Sequence, residues 1–150
     1  MYEVLVYIHI VCAILWVGSA ALFQVLGMRA ARASDPTIAP WLGRTMEWIG
    51  MRVSLPASII LFVAGVIMVA QRWSFGQAWI SISMGLWILS ALAGSLYLGP
   101  RTKKLSQLVE AEGPSSPAAL TIMTRLNLVA RLELLSFAVI IALMVWKPGA

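Results

Sequence analysis

Val4 to Met28 reads VLVYIHIVCAILWVGSAALFQVLGM, twenty-five residues with no Asp, Glu, Lys or Arg and with one histidine, His9. About 20 predominantly apolar residues suffice to carry a helix across the hydrocarbon of a bilayer. Three further stretches read the same way, about Val53 to Gln71, Ala78 to Leu98 and Leu126 to Trp146. Composition agrees, because 61% of the 150 residues are apolar and 11% are charged, against roughly a quarter charged in soluble domains. A soluble chain of this length cannot hide so much apolar surface, so the excess faces lipid. The expected fold class is all-α: a four-transmembrane-helix bundle forming one domain over residues 1–150, with no internal repeat and no separate soluble domain.

The first span could pass for a secretory signal, with Ala31-Arg32-Ala33 as small residues at cleavage spacing. Its N-terminal side carries Glu3 and no Lys or Arg, and its apolar run exceeds a signal core of about 7–15 residues. It reads as a retained helix. Cys12, the single cysteine, lies inside this run and reads as a small packing residue.

Cations flanking short loops stay on the cytoplasmic side of a membrane. The loop after the first span holds Arg29, Arg32, Arg44 and Arg52, and the loop after the third holds Arg101, Lys103, Lys104, Arg125 and Arg131, nine of the eleven cations. Arg72 and Lys147 fall on the other side. The expected topology is N-out, C-out. The net charge of +5 then matches anionic lipid headgroups rather than nucleic acid, because it sits in loops between apolar spans. The expected location is a cell membrane crossed several times.

The span ends carry their own signals. Gly99-Pro100 reads as a helix stop. Pro56 falls in the first turns of the second span or kinks a longer helix. Trp73, Trp79 and Trp146 read as an aromatic belt at the outer boundary. Trp41 to Ile49 has apolar residues at helical spacing and predicts a short amphipathic helix on the inner surface. Glu112-Gly113-Pro114-Ser115-Ser116-Pro117 predicts a turn between two polar helix extensions. Small residues let helices approach closely in lipid. Gly18, Ala20 and Ala21, then Ser54, Ser58 and Gly65, then Ser81, Gly85, Ser90, Gly94 and Ser95 are therefore expected to face inward.

His9 lies about 8 Å into the first span at ~1.5 Å of rise per residue. An ionisable group at that depth needs a partner or a polar cavity. It shares a helix face with Ala13, Trp16, Ala20 and Phe23 or Gln24. One reading makes His9 an axial haem ligand, hence a metal and cofactor residue beside Trp16. The other makes it a neutral histidine bonded to a nearby serine or backbone carbonyl. A haem would need a second ligand or an open site, and Met68, Met84 and Met144 are the thioethers in the same half. Each also reads as packing. Arg72 could neutralise a propionate, or snorkel to the headgroups.

Near the opposite ends, Arg131 and Glu133 enter the fourth span while Glu47 and Arg52 precede the second. Residues two apart on a helix diverge, so Arg131 and Glu133 are expected to seek Glu47 and Arg52 as a structural ion-pair cluster. A gate or proton path is the functional alternative. The sequence holds no H-E-x-x-H, G-x-S-x-G, CxxC or phosphate-cradling loop, so no catalytic residue can be assigned from motif.

Several segments carry a resemblance: Met1-Tyr2-Glu3-Val4-Leu5, His9-Ile10, Ala13-Ile14-Leu15-Trp16-Val17-Gly18, Glu47-Trp48, Pro56-Ala57-Ser58, Leu98-Gly99-Pro100 and Val145-Trp146-Lys147-Pro148-Gly149. Together they resemble the DUF2269 family of predicted bacterial integral membrane proteins over essentially the whole chain. The first-helix pattern is more distantly similar to CopD-type copper-resistance proteins and HemJ-type protoporphyrinogen oxidases, and this implies a haem-ligand role for His9 alone. The HemJ-type enzymes carry a lysine early in their third helix, where this chain has Ala78-Trp79-Ile80-Ser81-Ile82-Ser83. The similarity extends to His9 and not to that lysine.

Three functions follow as expectations: a haem- or porphyrin-binding bundle with a redox or sensing role through His9, a non-enzymatic structural or interaction protein, and a small transporter or channel subunit. A homo-oligomer or a membrane partner is compatible with each.

Overall fold

The computed structural model describes residues 1–30 and 38–149, and Arg32 with the Ala31-Arg32-Ala33 segment lies outside them. Among the described residues every regular element is helical. Six α-helices appear in chain order: α1 (Tyr2–Ala30), α2 (Ile38–Ile49), α3 (Leu55–Arg72), α4 (Ala78–Leu92), α5 (Gly99–Glu112) and α6 (Pro117–Trp146). Two π-helical segments, Gly50–Ser54 and Ala93–Leu98, join α2 to α3 and α4 to α5 without a break. Four continuous apolar helices result, Tyr2–Arg29, Trp41–Arg72, Ala78–Glu112 and Pro117–Trp146, each long enough to cross a membrane.

Their length exceeds the minimum. The second runs 32 residues and the third 35, against about 20 needed for the hydrocarbon, so α2 and α5 are extensions of spanning helices. The stop expected at Gly99-Pro100 does not form. Gly99 keeps helical angles, φ −56° and ψ −59°, and the chain stays helical to Glu112. Likewise Trp41–Ile49 is helical but is not a separate element, because Ile49 and Leu55 both hold αR geometry on either side of the π segment.

Proline chemistry explains both junctions. A proline ring inside an α-helix collides with the carbonyl four residues back and offers it no N–H. Here the residue before each proline bonds one position further back: the Leu55 N–H donates to Gly50 O, and the Gly99 N–H donates to Gly94 O. The widened turn lets the helix pass through Pro56 and Pro100. Each glycine stands six residues before its proline, Gly50 before Pro56 and Gly94 before Pro100.

True turns occur elsewhere. Gly113 adopts φ 85°, and the Ser116 Oγ accepts from the Ala119 N–H at 3.2 Å with Pro117 beside it, an N-cap that starts α6. Lys147 closes α6 in the left-handed region at φ 44° before Pro148.

The backbone of α1 runs along α3 and touches α6, and α4 packs on α6, while no Cα pair of α3 and α4 comes within 8 Å. Aromatic rings fill that wider gap: Phe62 stacks on Trp87 at 4.1 Å. Trp16 packs on Phe137 at 4.4 Å, and Phe137, at 1% exposure, is the most enclosed large side chain. Cys12 joins Ala57 and Leu61 in the adjoining cluster, as a packing residue should.

The small residues divide between faces. Ala20, Ser54, Ser58, Gly65 and Ser90 are buried or half-buried, as expected, and Gly94 is half-buried too. Gly18, Ala21, Ser81, Gly85 and Ser95 instead face outward. A Cβ added at Gly18 or Gly85 would meet no other atom within 4 Å. Ser83, at 2% exposure, takes the inward place on α4 instead and bonds to Trp79 O at 2.7 Å.

Candidate functional site

The first span places His9 on the flank facing α3. Its Nδ1 lies 2.8 Å from the backbone carbonyl oxygen of Leu61. A carbonyl only accepts, so Nδ1 carries the proton and donates. Gly65, one turn beyond Leu61, makes room for the ring: a Cβ there would stand 3.2 Å from His9 Cε1. The predicted face holds together, with Ala13, Trp16, Ala20 and Phe23 half-buried and Gln24 buried. His9 thus has the backbone-carbonyl partner that the second of its two readings anticipates.

Met84 and Met144 pack against the Val69, Trp79 and Ile80 cluster near the end of the bundle, and Met68 is half-buried on α3. Among the described residues no three His, Cys, Asp or Glu side chains converge as metal ligands. With Nδ1 protonated, a neutral ring keeps its lone pair on Nε2. Trp16 lies against Phe137.

Arg72 is exposed and its guanidinium stacks 4.2 Å from the Tyr2 ring. It belongs to an aromatic cap at the end where the first and last helices meet. The Trp73 Nε1 donates to Tyr2 Oη at 3.3 Å. Trp73 meets Trp79 edge-on at 5.3 Å, and the Lys147 ammonium sits 4.9 Å from the Trp73 ring. The cation–aromatic contacts and the Trp73–Trp79 pair tie the ends of α1, α3, α4 and α6 together. Trp79 is buried inside the cap rather than displayed in a belt, whereas Trp146 is exposed as a belt residue should be.

At the other end, Glu47 and Arg52 line one shallow depression with Arg44, Trp48 and Met51. No nitrogen–oxygen pair within 4.0 Å joins Arg131 or Glu133 to Glu47 or Arg52. Arg131 is exposed and Glu133 half-buried on α6.

The model of one protein family, described as a predicted integral membrane protein, matches residues 3–148. The chain belongs to the DUF2269 family. No curated protein and no solved structure shows significant similarity to it. Family membership and the four apolar helices together make this DUF2269 chain a multi-pass membrane protein.

Sequence reasoning passed over two features of the DUF2269 chain. Gln24 is 9% exposed, and neither of its side-chain polar atoms finds a hydrogen-bond partner. It was visible only as one of two residues at the end of the His9 face. Phe137 lies in a span of near-uniform Leu, Ile, Val and Ala where no residue stood out, although it was the one aromatic ring in the middle of α6.

Proposed function

We propose that this chain is a non-enzymatic structural or interaction protein of the membrane, acting through helix packing and lateral association. The observation that carries this reading is the His9 to Leu61 hydrogen bond. The one histidine of the chain, inside the first span, is engaged in joining two helices, a use that polar groups have in bilayers. The outward small surfaces at Gly18 and Gly85 are suited to close approach of another helix, in a homo-oligomer or a membrane partner. The loop cations favour an orientation with the Tyr2 and Lys147 end outside and the Arg44 end in the cytoplasm, in a bacterial inner membrane.

The same bond favours a second reading. Histidines that ligate metals commonly donate their other ring N–H to a carbonyl, which fixes the tautomer. His9 could in that case offer Nε2 to a haem whose other axial position is open or filled from another molecule.

One experiment decides between them. Protein purified from a host well supplied with haem is examined by visible absorption, alongside His9→Ala. The interaction reading expects no Soret band in either protein. A stoichiometric Soret band that His9→Ala abolishes would overturn it in favour of haem binding.

A further inference from the structure

The depression at the basic end lies on the N-terminal part of the second membrane helix, Trp41–Arg72. It measures about 300 Å³ and is lined by Arg44, Glu47, Trp48, Met51 and Arg52. These residues recur at intervals of three and four on one helical flank, so a single helix builds the whole site. The π segment Gly50–Ser54 runs through it and contributes Met51 and Arg52. All five side chains are exposed, with Trp48 at 60% and Met51 at 62%.

We infer that this depression seats the headgroup of one anionic phospholipid, a phosphodiester bearing free hydroxyls. Charge sets the class of ligand. Two guanidiniums flank one carboxylate, leaving a net +1 that matches a phosphodiester monoanion. Guanidinium is the side chain best shaped to grip phosphate oxygens with paired N–H groups. Glu47 would repel a bare phosphate dianion, but its carboxylate can accept from headgroup hydroxyls. The apolar lining sets the source of the phosphate. Trp48 and Met51 lead along the same helix to Leu55 and Ile59, both large, apolar and exposed, which forms a track for an acyl chain. A soluble phosphate compound has no use for that track. Basic sites between or beside membrane helices at the headgroup level are a recurrent mode of lipid recognition.

The test uses the full chain in detergent, equilibrated with equal amounts of phosphatidylglycerol and phosphatidylcholine of matched acyl chains, with retained lipid counted by native mass spectrometry. One phosphatidylglycerol should be retained preferentially. Arg44→Gln/Arg52→Gln should lower that preference roughly thirtyfold for the loss of two cations, while Lys103→Gln/Lys104→Gln on α5 should leave it intact. Equal retention of the two lipids overturns the inference, as does a preference that survives the arginine pair's replacement. Competition by inorganic phosphate as effective as by phosphatidylglycerol would equally overturn it, by assigning the site to a soluble anion. Should the double variant fail to fold, the wild-type protein still decides: photoreactive phosphatidylglycerol should crosslink within residues 44–59, and crosslinks confined elsewhere contradict the site.

Discussion

The imidazole Nδ1 of His9 and the carbonyl oxygen of Leu61 stand 2.8 Å apart across 52 residues of sequence, a hydrogen bond that fixes α1 against α3. The bond draws on a carbonyl inside a continuous helix, so the acceptor needs no break in α3. Donors from a neighbouring helix to a backbone carbonyl are among the few directional forces available where lipid replaces water.

Removing that donor should cost little in folding and much in register. His9→Ala is expected to destabilise the bundle by about 1 kcal/mol, the usual scale of an interhelical hydrogen bond in a bilayer. Reversible unfolding in bicelles measures it. A loss several times larger would show that the ring has further partners.

Gly65 carries the second half of the contact. A methyl placed there would sit 3.2 Å from His9 Cε1, so Gly65→Ala must displace the ring or part the helices, at a cost of ~1–3 kcal/mol. The same substitution in a His9→Ala background should be nearly neutral. A double-mutant cycle reads the coupling directly, and strict additivity would separate the two residues.

Phe137→Ala removes the most enclosed large side chain among the described residues, beside Trp16. Truncating a buried phenylalanine typically costs about 3–5 kcal/mol. The expected outcome is a marked loss of thermal stability in detergent. Val139→Ala, at an exposed position two residues on, should change it little.

Orientation is open to labelling. Cys12 is buried, and in a Cys12→Ala background single cysteines at Ser74 and Ser115 report on the α3–α4 and α5–α6 turns, both exposed. A membrane-impermeant maleimide should reach Ser74→Cys in intact cells and Ser115→Cys only after permeabilisation. The reverse pattern would invert the orientation derived from the loop cations.

Much of this architecture was legible in the sequence because lipid is an exacting solvent. Four apolar runs announce four spans, and the intervals from His9 to Ala13, Trp16 and Ala20 correctly place one face. What escaped depends on neighbours rather than on local chemistry. Gly99-Pro100 looks like a stop until the preceding turn widens by one residue and absorbs the ring, as the Gly99 to Gly94 bond records. Gly18 and Gly85 look like packing positions, yet smallness does not say which way a helix is rotated. Gly65 was placed correctly, but its reason, the edge of the His9 ring, requires both helices at once. The proposed lipid seat was dispersed between an expected ion-pair cluster and an expected surface helix, and only the unbroken run from α2 into α3 assembles it.

His9 is the only histidine in the chain, so selective ¹⁵N-histidine labelling gives one imidazole to observe. Solid-state NMR of the protein in bilayers, with ¹³C at the Leu61 carbonyl, measures the protonation of each ring nitrogen and the distance between the two groups. The account predicts a protonated Nδ1 close to the Leu61 carbonyl and an unprotonated Nε2. A ring protonated on Nε2 alone, or a Leu61 carbonyl far from both nitrogens, would contradict it.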